Sequence, residues 1–193
     1  DADLPAVGHE AGAGGEVVGG SDLRPHVRGA GVLAVVGVVE DHAEELAQLE
    51  VLNSGHPIES ARWEASHVAQ VLNFYAGAPE RLSGQQIPVS GGLDVTFHEP
   101  YGVVGIIVPW NGPFVLAMNQ AAQAIVAGNA VLLKGSEVTP WSSALVGEFF
   151  AEAGLPDGVL EVLMGDGQTG ADLVNAGVDK ISFTGSVATG RRV

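Results

Sequence analysis

Lys134 ends an apolar run, Val131-Leu132-Leu133-Lys134, and Glu137 follows three residues later. The chain has only two lysines and six arginines, so a cation at the tip of a buried strand is not surface decoration. An ammonium can donate to sugar hydroxyls and a carboxylate can accept from them, which together suit a ribose-phosphate ligand. An arbitrary Lys-x-x-Glu would be a solvated ion pair of small consequence. Its position at a strand end, just before a helix, gives this one its weight.

Two further segments have the residue types for a nucleotide site. Gly185-Ser186-Val187-Ala188-Thr189-Gly190 follows a strand and opens a helix, where backbone N–H groups and the helix dipole attract phosphate. By itself it reads equally well as a strand-to-helix turn with a serine cap. Asn111, on the turn Pro109-Trp110-Asn111, can aim an amide N–H at a developing alkoxide, and donors of this kind are worth roughly 10²–10³ in rate. Its plainer reading is a turn asparagine. Trp110 and Phe114 read as core or pocket wall. Glu137 also bears on the ligand's form. A ribose 2′-phosphate about 4 Å from it would be repelled by roughly 4 kcal/mol per charge pair at an effective dielectric of 20, which favours NAD over NADP.

The elements that must hold these residues follow from apolar periodicity. Val103 to Val108 reads as a strand buried on both faces and Ala130 to Lys134 as the next buried strand. Val159 to Met164 and Lys180 to Thr184 read as a third and a fourth strand. Between them, Phe114 to Ala127 reads as a helix closed by Gly128-Asn129. Thr139 caps a second helix with Pro140 at its first position and a core stripe of Trp141, Ala144, Leu145 and Phe149. Thr169 to Ala176 forms a short third helix. Alternation of this kind predicts a parallel sheet with right-handed crossovers, whose ligands lie beyond the carboxyl ends of the strands. Pro109 to Asn111, Lys134 to Glu137, Gly165 to Gly167 and Gly185-Ser186 all fall at those ends.

Ahead of the sheet, Glu40 to Leu52 reads as an amphipathic helix with Ala43, Leu46, Ala47 and Val51 on one side and charges elsewhere. A second helix starts near Ser60 and places Val68, Val71, Leu72 and Tyr75 at helical spacing. Gln86 to Val89 and Leu93 to Glu99 flank Ser90-Gly91-Gly92, a hairpin signal. The apolar run Gly31 to Val39 fits either a strand or a buried helix, and residues 1 to 27 lack a period and read as poorly structured.

Composition narrows the classes. A formal charge of −15 argues against nucleic acid, whose phosphates reward clustered cations, and against an anionic membrane surface. The longest apolar stretch, Gly29 to Val39, is too short to span a bilayer and lacks a basic leader, so a cytoplasmic location is expected. There is no cysteine, hence no disulfide and no thiolate metal site. The six histidines lack metal-ligand spacing and read as surface or packing residues.

Taken in order, the segments resemble the aldehyde dehydrogenase superfamily. The resemblance rests on Glu99-Pro100-Tyr101-Gly102-Val103-Val104-Gly105-Ile106-Ile107-Val108-Pro109-Trp110-Asn111, then Ala127 to Lys134, Ala153 to Val159, and Asp179 to Ser186. It implies an α/β protein with a partial aldehyde-dehydrogenase-like fold, a parallel Rossmann-like sheet preceded by helices and a β-hairpin arm. The divisions expected are an atypical segment over 1–43, helices over 44–82, an oligomerisation-type arm over 83–100 and an incomplete NAD-binding domain over 101–193. The resemblance assigns the catalytic oxyanion contact to Asn111 and the adenosine ribose to Lys134 with Glu137. It gives the pyrophosphate to Ser186, with Gly167 and Gly185 allowing close approach, and the nicotinamide side to Ile107, Val108, Pro109 and Trp110.

The same resemblance implies an aldehyde substrate, oxidation to the carboxylic acid with NAD, and a homo-oligomer when complete. The family's cysteine nucleophile and general-base glutamate have no counterpart here. This points to an amino-terminal portion that is inactive alone. Gly135 stands where the family has proline, which would loosen the ribose-binding turn. Similarity is expected from about Glu44 onward. The alternatives are a non-catalytic nucleotide-binding or interaction module, or a decayed gene product.

Overall fold

The computed structural model describes residues 24–193; most of the segment expected to be poorly structured, residues 1 to 23, lies outside them. Four helices come first: α1 (Pro25–Asp41), α2 (Ala43–Ser54), α3 (Ile58–Ala76) and the single turn α4 (Ala78–Arg81). The run Gly31 to Val39 is therefore helical, with Val32, Val35, Val36 and Val39 buried, although it falls in the division expected to be ill-defined. Helix propensity alone would disfavour α1, which holds three glycines, Gly29, Gly31 and Gly37. Packing explains at least one of them, since a Cβ on Gly29 would stand 2.4 Å from the Ala76 carbonyl oxygen at the end of α3. His42 breaks the expected Glu40–Leu52 helix into α1 and α2.

A two-residue antiparallel hairpin follows, β1 (Gln86–Ile87) and β2 (Asp94–Val95), and it is exposed on both strands. The remainder alternates: β3 (Val103–Ile107), α5 (Pro113–Val126), β4 (Ala130–Lys134), α6 (Pro140–Glu152), β5 (Leu160–Leu163), α7 (Gly167–Asn175), β6 (Lys180–Phe183) and α8 (Val187–Gly190). The four strands pair in parallel in the order β5-β4-β3-β6, as the α/β reading requires. The chain builds outward from β3 to β5, then returns to place β6 on the other side of β3. The order reverses there, and such a switch point is where open parallel sheets bind ligands.

One face of β3 offers Val104 and Ile106 to a core shared with Phe114, Met118 and Ile125 of α5, Val146 and Phe150 of α6, and Val68 and Leu72 of α3. The opposite face is covered by α7, where Leu173 packs over Gly105 and Gly170 over Ile107. Burial of this continuous apolar layer, at about 25 cal/mol per Å², is the main term fixing the strands in place. The stripe expected on α6 is corrected. Trp141 is half exposed, and the inward positions are Ser142, Ser143, Val146, Phe149 and Phe150. Thr139 precedes Pro140 as expected but caps nothing, since its hydroxyl is buried without a partner.

Candidate functional site

Register across the sheet decides which side chains meet. Ile107 pairs with Lys134 on one side and Phe183 on the other, while Lys134 pairs with Leu163. One row of residues thus forms the carboxyl edge of the sheet. Backbone bonds lock it, with Val108 N–H donating to the Lys134 carbonyl at 3.1 Å and Thr184 N–H to the Ile107 carbonyl at 3.0 Å. At the other end of β3, the Asn129 amide oxygen accepts from the N–H groups of Tyr101 and Gly102 and fixes the strand's entry.

Beyond the carboxyl edge lies a cleft of about 570 Å³ on the α7 face, within the usual range for small-molecule sites. Ile107, Val108, Pro109, Lys134, Glu137, Gly167, Gly185 and Ser186 all line it. Eight of the ten residues singled out from the sequence therefore meet in one place. Trp110 and Asn111 lie on the turn immediately past Pro109, exposed and outside the lining.

Lys134 is almost fully buried, and its Nζ donates to Glu137 Oε2 at 3.3 Å, while the Glu137 side chain is about half exposed. An ammonium has three donors, and this is the one bond found for it among the described residues. Its stem lies in the apolar edge and its head faces the cleft beside an accessible acceptor. Gly135 also has a packing role. A Cβ there would come within 2.5 Å of the Ser143 Cβ, so the missing side chain lets α6 approach the strand end. Ser186 caps α8, its hydroxyl accepting from Thr189 N–H at 3.1 Å, so the plainer reading of this serine is realised alongside its place in the cleft. Asp166 caps α7 by accepting from Gln168 N–H at 2.9 Å.

The cleft also takes in Ser136 and Thr189, which fall in the segments singled out from the sequence, and residues that sequence reasoning passed over, among them Gln168, Phe183 and Arg192. Arg192 carried a usable signal, being one of a few cations in a strongly acidic chain and lying shortly after the Gly185-Ser186 turn. Phe183 carried another, as the last residue of a strand in register with Ile107.

The aldehyde dehydrogenase family profile matches residues 12–193, nearly the whole chain. The chain belongs to the aldehyde dehydrogenase family. The match begins well before Glu44, so the family likeness covers more of the chain than its motifs alone suggest. The chain is 43% identical over 166 residues to the mitochondrial benzaldehyde dehydrogenase of Antirrhinum majus, covering 84% of this chain and 31% of that protein. It is 38% identical over 177 residues to betaine aldehyde dehydrogenase of Bacillus subtilis, covering 90% of this chain and 36% of the relative.

Among solved structures, an aldehyde dehydrogenase from Bacillus cereus in complex with NAD+ superposes with a TM-score of 0.85. It is 37% identical, with 93% of this chain and 37% of that one covered. An NAD-dependent benzaldehyde dehydrogenase from Corynebacterium glutamicum gives a TM-score of 0.85 at 31% identity, covering 90% and 39%. The chain thus spans about a third of the length of the family members it matches. Among the described residues, no helix is long and apolar enough to cross a membrane.

Proposed function

We propose that this chain is the cofactor-binding, amino-terminal portion of an aldehyde dehydrogenase that uses NAD to oxidise an aldehyde to its acid. The observation that carries the reading is the cleft at the β3/β6 switch point, with buried Lys134 and accessible Glu137 on its wall. The residues present fit a dinucleotide. A buried ammonium with donors to spare and an exposed carboxylate 3.3 Å away match a ribose diol. The turn at Gly185-Ser186 offers backbone donors for a diphosphate, and Ile107, Val108 and Pro109 give an apolar wall for a flat ring.

NAD, when bound, supplies the hydride acceptor. Lys134 and Glu137 hold and orient its ribose, and the negative charge of Glu137 disfavours a 2′-phosphate there. Asn111 is assigned the oxyanion contact, its amide N–H stabilising charge on the aldehyde oxygen as a nucleophile adds. The thiol that adds and the carboxylate that later activates water have no counterpart in these 193 residues, which contain no cysteine. The exposed hairpin β1–β2, flanked by exposed Leu93 and Phe97, is assigned to subunit contacts of a homo-oligomer.

The 193-residue chain mixed with NAD and an aldehyde is expected to form no NADH above the blank, and aldehyde-dependent NADH formation would contradict the reading. In a chimaera where this segment replaces the matching third of a complete relative, Asn111→Ala should lower kcat by roughly 10²–10³-fold. An unchanged kcat would remove Asn111 from the chemistry.

A further inference from the structure

A second cluster of titratable groups lies outside the cleft. Glu50 on α2, His56 on the α2–α3 turn and Glu64 on α3 bring one ligand-type atom each to within 4.8 Å of one another. Both carboxylates are more than nine-tenths buried, while His56 is partly open to solvent. His56 Nδ1 stands 2.7 Å from Glu64 Oε1 and 4.0 Å from Glu50 Oε2. The short contact lacks hydrogen-bond geometry, and Nδ1, Glu50 Oε2 and Glu64 Oε2 are all buried without a hydrogen-bond partner.

Among the described residues, His56 is the only basic side chain within 4.0 Å of either carboxylate. Two buried carboxylates and one imidazole therefore converge with three polar atoms left without partners, and unpaired buried polar atoms are costly.

We propose that Glu50, His56 and Glu64 bind a divalent transition-metal ion of the zinc class. Imidazole and carboxylate oxygen are a suitable donor set. Donors about 2.1 Å from a tetrahedral ion stand about 3.4 Å apart, a spacing bracketed by the 2.7 and 4.0 Å separations here. The arrangement has the outer support that metal ligands require. Ser142 of α6 donates to Glu50 Oε1, and Asn53 donates to the Ser142 hydroxyl, which leaves Oε2 facing the histidine. The partly exposed His56 provides an entry path. Bound there, the ion would balance the charge and pin α2 and α3 together against α6.

The test is a titration of Zn2+ into the tag-free, metal-stripped 193-residue chain by calorimetry, with Co2+ absorption as the coordination readout. The expected result is one equivalent bound with a dissociation constant below about 100 μM and a raised melting temperature. Glu64→Gln, which preserves size, and His56→Asn, which removes the ligating imidazole, should each weaken binding at least tenfold, and the raised melting temperature should disappear with it. Weaker binding in the parent overturns the proposal, as does equal affinity in both variants or a chain that stays unfolded with Zn2+ present. A compact triad in which His56 merely shares a proton with its carboxylates would give that first outcome.

Discussion

Buried charge is handled in different ways in two regions of this molecule, which the first turn of α6 joins through Ser142 and Ser143. At the sheet's carboxyl edge, buried Lys134 leans on Glu137, which is open to water, so the pair is matched in sign and half solvated. Between α2 and α3, two buried carboxylates share one partly exposed imidazole, and three of their polar atoms lack a hydrogen-bond partner. The first arrangement leaves ammonium donors beside an accessible carboxylate, and the second leaves buried carboxylate oxygens without a donor. What separates them is backbone context: strand ends point side chains out of the layer, whereas a helix stripe drives them into it.

The largest effect should come from removing what both regions share. Phe114 is fully buried at the start of α5, just past the Pro109–Asn111 turn, and meets Phe149 of α6 edge-on. Phe114→Ala should cost about 3–5 kcal/mol by chemical denaturation. A loss below about 1 kcal/mol would mean the core does not tie the regions together.

Next, Lys134→Met keeps the buried stem and removes the charge. It should lower NAD affinity by about 10–100-fold, the worth of charged hydrogen bonds, with stability changed by less than about 1 kcal/mol. Glu64→Gln should leave NAD affinity unchanged. If it weakened NAD as much as Lys134→Met does, the two regions would not be separate.

The smallest effect sharpens the contrast between histidines. His42, at the α1–α2 break, is solvent-accessible beside Glu45 and Glu152. Its hydrogen bond to Glu45, foremost, and then Glu152 hold its pKa above the ordinary value against some desolvation. A raised folded-state pKa gives stability that is fully present below the unfolded-state value, near 6.5, and lost as pH rises through the folded value. The melting-temperature advantage of the parent over His42→Gln should therefore be greatest in mild acid and vanish at alkaline pH. An advantage that grew with pH would reverse the assignment.

Much of the cleft was legible because strand-end residues come in short contiguous pieces: Lys134 to Glu137, Gly185-Ser186, Ile107 to Pro109. Parallel register then gathers those pieces without further information. The triad spans fifteen residues and two helices, and spacing of histidines alone does not reveal it. A signal was present. Glu50 falls in phase with Leu46 and Ala47, and Glu64 with Ala61, Ala65 and Val68, so each carboxylate sits on its helix's buried stripe. Treating charges on α2 as the solvated face hid the first of these, although Glu44 and Glu45 are indeed exposed and Glu44 is gripped by Arg62 at 2.9 Å through two nitrogens. The helical state of α1 was obscured for another reason. Its glycines lower local propensity, and at Gly29 only the close approach of α3 explains the choice.

The most direct test of the cofactor cleft is parallel calorimetric titration of NAD and NADP into the folded 193-residue chain. Saturable binding of one NAD, with NADP at least about tenfold weaker because of Glu137, is the predicted result. A folded chain that binds neither dinucleotide, or binds NADP as tightly as NAD, would contradict it.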